Sequence, residues 1–180
     1  MNEKKENILV IDDDPYVLES ISSLLKESGY SIVTCENAAC AIEKLKRDSF
    51  DVVITDIKMP DISGIELLEK IHNLNMEVPV ILMTAYAELD LEVDAIKKGA
   101  FDFITKPYKP EQLIHSVERA VNYSRLLQME KNYKKTLEET VRERTKELSN
   151  ALQMVKNMSR EIILRLTAVA EFRDTDTGAH

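Results

Sequence analysis

Val52-Val53-Ile54-Thr55-Asp56, the head of the stretch VVITDIKMPDISG (residues 52–64), decides the fold. It is a short run, rich in Ile and Val, that is apolar at successive positions and closes on a carboxylate. A run without polar alternation suits a strand covered on both faces, as in a parallel sheet. Working outward, similar runs stand at Ile8–Ile11, Ser31–Cys35, Val80–Met83 and Phe101–Ile104. The segments between them have helical spacing. Val17, Leu18, Ile21, Leu24 and Leu25 form one apolar face, and Ala38, Ala41, Ile42 and Leu45 form a second. Ile65, Leu67, Leu68 and Ile71 mark a third, and Leu89, Val93 and Ile96 a weaker fourth. Five strands, each followed by a helix, predict a doubly wound α/β domain. Asp14-Pro15 reads as an N-cap followed by Pro at the first helical position, and Gly29 and Gly99 fall where helix C-caps belong.

From about Pro110 the pattern changes. Gly and Pro vanish until Gly178, and Glu, Lys, Arg, Leu and Met dominate. Val141, Leu148, Val155, Ile162 and Val169 recur every seven residues. Their partner positions, Leu137, Arg144, Ala151, Met158 and Arg165, are apolar in three cases of five. This is an imperfect heptad, and Leu126, Tyr133 and Thr140 follow another frame, which places a stutter around 130–140. A helix from about 111 to 172 would extend roughly 90 Å, more than one small domain can cover. The expectation is a parallel two-stranded coiled coil that makes the chain a homodimer.

Charge and composition exclude several classes. The chain has a net charge of −8. Residues 1–125 hold 14 Lys and Arg against 23 Asp and Glu; residues 126–180 hold 10 against 9. Neither part has the basic face that a phosphate backbone requires, so no nucleic-acid partner is expected. No run approaches the roughly 20 apolar residues that span a bilayer, and the N-terminus lacks a signal-peptide pattern. Cys35 and Cys40 are too few for a disulfide framework and read as reduced small apolar residues. The location expected is cytoplasmic, without a membrane partner.

Functional groups of doubly wound sheets gather beyond the carboxyl ends of the strands. There the sequence places Asp12-Asp13-Asp14, Thr55-Asp56, Thr84, and Thr105-Lys106 before Pro107. Asp14 is accounted for as a helix cap; one cap needs one residue, so Asp12 and Asp13 remain. Three carboxylates in one cleft repel each other unless a cation joins them, and all-oxygen ligands suit Mg²⁺. Such an ion would neutralise an incoming phosphate for in-line attack by a carboxylate. A lysine across the site would bind phosphate oxygens as a point charge, and a threonine hydroxyl would donate to another. Singly, Thr84 and Lys106 carry little weight. Their meaning lies in falling together at one sheet edge.

ILVIDDD, VVITDIKMPDISG, VILMTAY and GAFDFITKP resemble the motifs of the receiver domain of two-component response regulators, across residues 7–125. The resemblance implies a flavodoxin-like sheet of order 2-1-3-4-5 and a phosphoryl group accepted from a sensor histidine kinase. It implies Asp56 as acceptor, Asp12, Asp13, Asp56 and the main-chain carbonyl of Lys58 as Mg²⁺ ligands, and Thr84 and Lys106 as the phosphate-sensing pair. Phe103 would be the switch aromatic, and a cis bond would precede Pro107. Lys58 and Tyr86, each two residues past a key position, would influence water access to the acyl phosphate.

LTAVAEFRDTDTGAH, residues 166–180, is similar to the start of HD-GYP domains, which hydrolyse cyclic di-GMP at a metal cluster. In that family the position of Asp176 often holds a glutamate ligand and His180 matches a histidine ligand, although the remaining ligands and the GYP motif are absent. The expected organisation is a receiver domain at 1–125, a coiled-coil dimerisation helix at 126–172 and the start of an HD-GYP output domain at 173–180. On this reading the chain itself only gains and loses phosphate at Asp56, and its longer parent is the phosphodiesterase. The rivals are a cyclic di-GMP phosphodiesterase active in this chain, a structural dimerisation protein with an unused receiver fold, and a phosphatase of the haloacid dehalogenase type. The last needs Asp14 as part of a D-x-D motif and so costs α-helix capping.

Overall fold

The central apolar runs become strands buried on both faces, because alternate side chains enter two separate cores, while Ser31–Cys35 and Asp102–Thr105 form partly exposed edge strands. The computed structural model describes residues 5–85 and 94–176, with side chains to residue 170. The order is β1 (Asn7–Ile11), α1 (Pro15–Glu27), β2 (Ser31–Cys35), α2 (Ala38–Arg47), β3 (Val52–Asp56), α3 (Gly64–Asn73), β4 (Val80–Thr84), β5 (Asp102–Thr105) and a C-terminal helix, Pro110–Asp176. All strand pairs are parallel, in the order β2-β1-β3-β4-β5. Leu9, Ile11, Val53, Val80 and Leu82 join the core under α2 and α3. Ile8, Val10, Val52, Ile54, Ile81, Met83 and Ile104 join the core under α1 and the first turns of the C-terminal helix. This division is the period of two expected of strands buried on both sides.

The helix ends follow local chemistry. Asp14 caps α1 by accepting the Tyr16 N–H, and Asn37 caps α2 through the Cys40 N–H. Ser63 and Glu66 form a reciprocal capping box on α3. Gly29 and Gly99 take positive φ, +97° and +89°, where the sequence placed C-caps. One helical face departs from expectation. Leu89 and Val93 lie outside the described residues, and Ile96 points outward at 58% exposure while Ala95 is buried. The described helical residues, 94–97, are followed by Gly99, and Ala95 supplies the contact with the core.

The chain divides into two units, Met1–Met129 and Glu130–His180. In the first, Leu113, Val117, Ala120 and Val121 of the C-terminal helix are buried against the sheet. The described part of the second is helical, and Leu137, Val141, Leu148, Val155, Met158, Ile162 and Val169 are exposed along it. Arg144 and Arg165, the polar members of the heptad, are paired within the helix to Glu147 and Glu161. Among the described residues no helix is long and apolar enough to cross a membrane.

Candidate functional site at the carboxyl edge of the sheet

The strand ends bring together residues far apart in the chain. Asp12 follows β1 and is buried; its Oδ1 accepts the Asp14 N–H at 3.0 Å. Asp56 ends β3 and is also buried; its Oδ2 accepts the Lys58 N–H at 2.8 Å. Lys106 follows β5, and its main-chain N–H donates to the Thr84 carbonyl at 2.6 Å. The Lys106–Pro107 peptide bond is cis. From there the Lys106 ammonium reaches Asp12 Oδ2 at 2.8 Å and Asp56 Oδ1 at 2.7 Å. Thr84 is buried at the end of β4, opposite Thr105. Phe103 packs, half-buried, against the core on the α3 side.

The electrostatics follow from burial and this shared ammonium. Burial raises the Asp56 carboxyl above its ordinary value; the Lys106 hydrogen bond and charge oppose the rise, and the Asp12 charge adds to it. Burial alone would lower the Lys106 ammonium, but its hydrogen bonds to Asp12 and Asp56 outweigh that and raise it. Tyr108 is raised, chiefly by burial. Two buried carboxylates therefore share one cation, and the group is one positive charge short.

That deficit, with donors that are all oxygen, fits a hard divalent cation such as Mg²⁺. Of the three expected carboxylates, Asp12 and Asp56 come together through Lys106, while Asp13 is exposed beside them. Among the described residues no group of three or more His, Cys, Asp or Glu gathers closely enough to hold a metal ion. Lys58, two residues past Asp56, is exposed. Tyr86 and His180 lie outside the described residues, as does the side chain of Asp176.

Gly64 is a site residue that composition and spacing did not single out. It opens α3, and its N–H donates to the Ile57 carbonyl at 2.9 Å. A Cβ added there would stand 2.2 Å from the Asp56 carbonyl oxygen and 3.1 Å from Ile57 Cα. The helix thus rests flush on the peptide that carries Asp56. The only sequence signal was a glycine eight residues past a strand-end aspartate, inside a stretch already marked as a motif.

The response regulator receiver domain family matches residues 8–118. The chain is 36% identical over 126 residues to the transcriptional regulatory protein ZraR of Klebsiella oxytoca, covering 70% of this chain and 28% of ZraR. It thus spans little more than a quarter of that relative. Among solved structures, a response regulator receiver domain protein from Clostridium thermocellum is 35% identical, with a TM-score of 0.63 over 68% of this chain and 98% of that one. The signal receiver domain of an HD domain-containing protein from Pseudomonas fluorescens is 25% identical, with a TM-score of 0.64 over 68% and 98%.

Proposed function

This chain belongs to the response regulator receiver family, and on that premise we propose that Asp56 accepts a phosphoryl group and that the C-terminal helix carries the consequence to an output domain. Receiver domains are phosphorylated by sensor histidine kinases. The observation that supports Asp56 most is its convergence with Asp12 on the Lys106 ammonium, from positions 50 and 94 residues away.

An Asp56 carboxylate oxygen attacks the phosphorus of a phosphohistidine in line with the departing imidazole nitrogen. The P–N bond breaks and an acyl phosphate forms. Asp12, Asp13, Asp56 and the Lys58 carbonyl would hold Mg²⁺, which supplies positive charge to the phosphoryl oxygens when bound. The Lys106 ammonium, tethered beside Asp56, passes to a phosphoryl oxygen as a point charge. The Thr84 hydroxyl donates to another, and Phe103 turns inward behind it. Local charge thereby biases a two-state element.

Beyond residue 126 the heptad positions support a parallel homodimer, and 166–180 support an HD-GYP output acting on cyclic di-GMP, with Asp176 and His180 among its metal ligands. In its favour, a receiver of similar fold comes from an HD domain-containing protein. A second reading, output to transcription, is favoured by the name of ZraR. The near-neutral charge of 126–180 weighs against direct nucleic-acid binding by this part. We place the protein in the cytoplasm, without a membrane partner.

Intact-mass analysis after incubation with Mg²⁺ and acetyl phosphate, beside Asp56→Ala, tests the acceptor. One phosphoryl group is expected on the parent, none on the variant, and none with EDTA. A parent chain that stays unmodified, or a variant that is modified equally, refutes the assignment.

A further inference from the structure

The start of β5 is gripped by three side chains from one stripe of the C-terminal helix. Asp102 is the centre of the grip. Its Oδ1 accepts the N–H of Phe103, the next residue along the strand, at 2.9 Å. Its Oδ2 accepts the Ser116 hydroxyl at 2.5 Å and faces the Arg119 Nη1 at 3.4 Å. Ser116 is buried, so this charge-assisted bond stands where water competes little. The Arg119 guanidinium also lies over the Phe101 ring, 5.6 Å from its centroid, and that ring packs against Tyr123 at 5.4 Å. Ser116, Arg119 and Tyr123 are spaced by three and four, one above another on the helix. They hold two consecutive residues, Phe101 and Asp102.

The same short strand ends at Thr105, and Lys106 follows with its ammonium on Asp12 and Asp56. Among the described residues this four-residue strand pairs with β4 alone, at the edge of the sheet, so a pull at its end is carried along its own backbone. Movement of Lys106 toward a phosphoryl group therefore displaces Phe103 and the carboxylate anchored to its N–H. We infer that Asp102 is a latch through which the helix reads the state of the phosphorylation site. This inference rests on phosphorylation at Asp56. It assigns the coupling to one carboxylate and not to general repacking of apolar surfaces.

Hydrogen–deuterium exchange on the full chain, with and without Mg²⁺ and acetyl phosphate, tests it alongside intact mass. In the parent, phosphorylation is expected to change exchange both in residues 101–106 and in residues 113–124. In Asp102→Ala and Ser116→Ala, phosphate uptake and the change in 101–106 are expected to persist, and the change in 113–124 to be lost. Arg119→Gln, at a more exposed position, gives a partial loss and serves if the other variants fail to fold. An undiminished change in 113–124 in the variants overturns the latch and leaves phosphorylation standing. A phosphorylated parent with no change in 113–124 does the same. A parent that takes up no phosphate overturns both.

Discussion

Replacing Gly64 with Ala puts one methyl group against main chain that has nowhere to go. The added Cβ would lie 2.2 Å from the Asp56 carbonyl oxygen and 3.0 Å from its carbonyl carbon, so α3 and the Asp56 peptide must separate by about 1 Å to reach ordinary contact. Overpacking of this kind costs about 1–3 kcal/mol. Alanine returns up to about 1 kcal/mol through helix propensity, less at a first-turn position. The net loss, on the order of 1–2 kcal/mol, should lower the melting temperature by roughly 2–8 °C. Chemistry should suffer more than stability, because a misplacement near 1 Å costs about a hundredfold in rate. The Lys58 amide that meets Asp56 Oδ2 belongs to the same closed loop and would move with it. The assay is the time course of acetyl-phosphate modification by intact mass, beside a circular-dichroism melt. Gly29→Ala is the control: it meets nothing within 4 Å but sits at φ +97°, so it should cost stability without slowing modification. Wild-type modification by folded Gly64→Ala would refute the idea that this contact positions the acceptor.

Lys106→Met removes the cation shared by Asp12 and Asp56, and loss of about 3–5 kcal/mol is expected from the carboxylates left behind. Asp56 is already raised by burial, so its folded form holds a proton more readily than its unfolded form. The variant's melting temperature should therefore fall as pH rises through the Asp56 value, more steeply than the parent's; parallel profiles would oppose this. Mg²⁺ at about 100 times its dissociation constant should stabilise the parent by about 2.7 kcal/mol, read as a melting shift that EDTA reverses and Asp12→Asn abolishes. Val155→Asp, at a central heptad position, should convert the proposed dimer to monomer in sedimentation while leaving phosphate uptake intact; a monomeric parent at high concentration would count against the coiled coil.

The sheet was legible because its signal is local and repeated. The central strands announce themselves by consecutive apolar residues, and Leu18, Ile21 and Leu25, or Ile65, Leu68 and Ile71, mark the buried helix faces by spacing alone. The acidic and basic site residues were legible because the ends of parallel strands share one edge. What the residues could not disclose were contacts made only by closure of the chain. The meeting of Gly64 with the Asp56 peptide depends on how the loop returns, and the resting place of Lys106 depends on its side-chain path toward two acids. The sequence set that lysine across the site to meet phosphate; the structure shows it on the carboxylates themselves. Ala95 taking the inward position beside Ile96 belongs to the same class, since its seat in the core is a contact made only in the closed fold.

The lysine between Asp12 and Asp56 also bears on how the site tolerates its surroundings. Dissolved salt shields exposed charges within about 10 Å at 0.1 M, and a counter-ion recruited from solution comes and goes with concentration. A counter-ion fastened to the backbone by four methylenes does not dilute. The acidic pair carries half of its compensation at a fixed local concentration, so that share does not vary with the ionic medium. Any divalent ion that enters competes with a tethered rival, and its occupancy depends on that exchange as much as on its own attraction to oxygen.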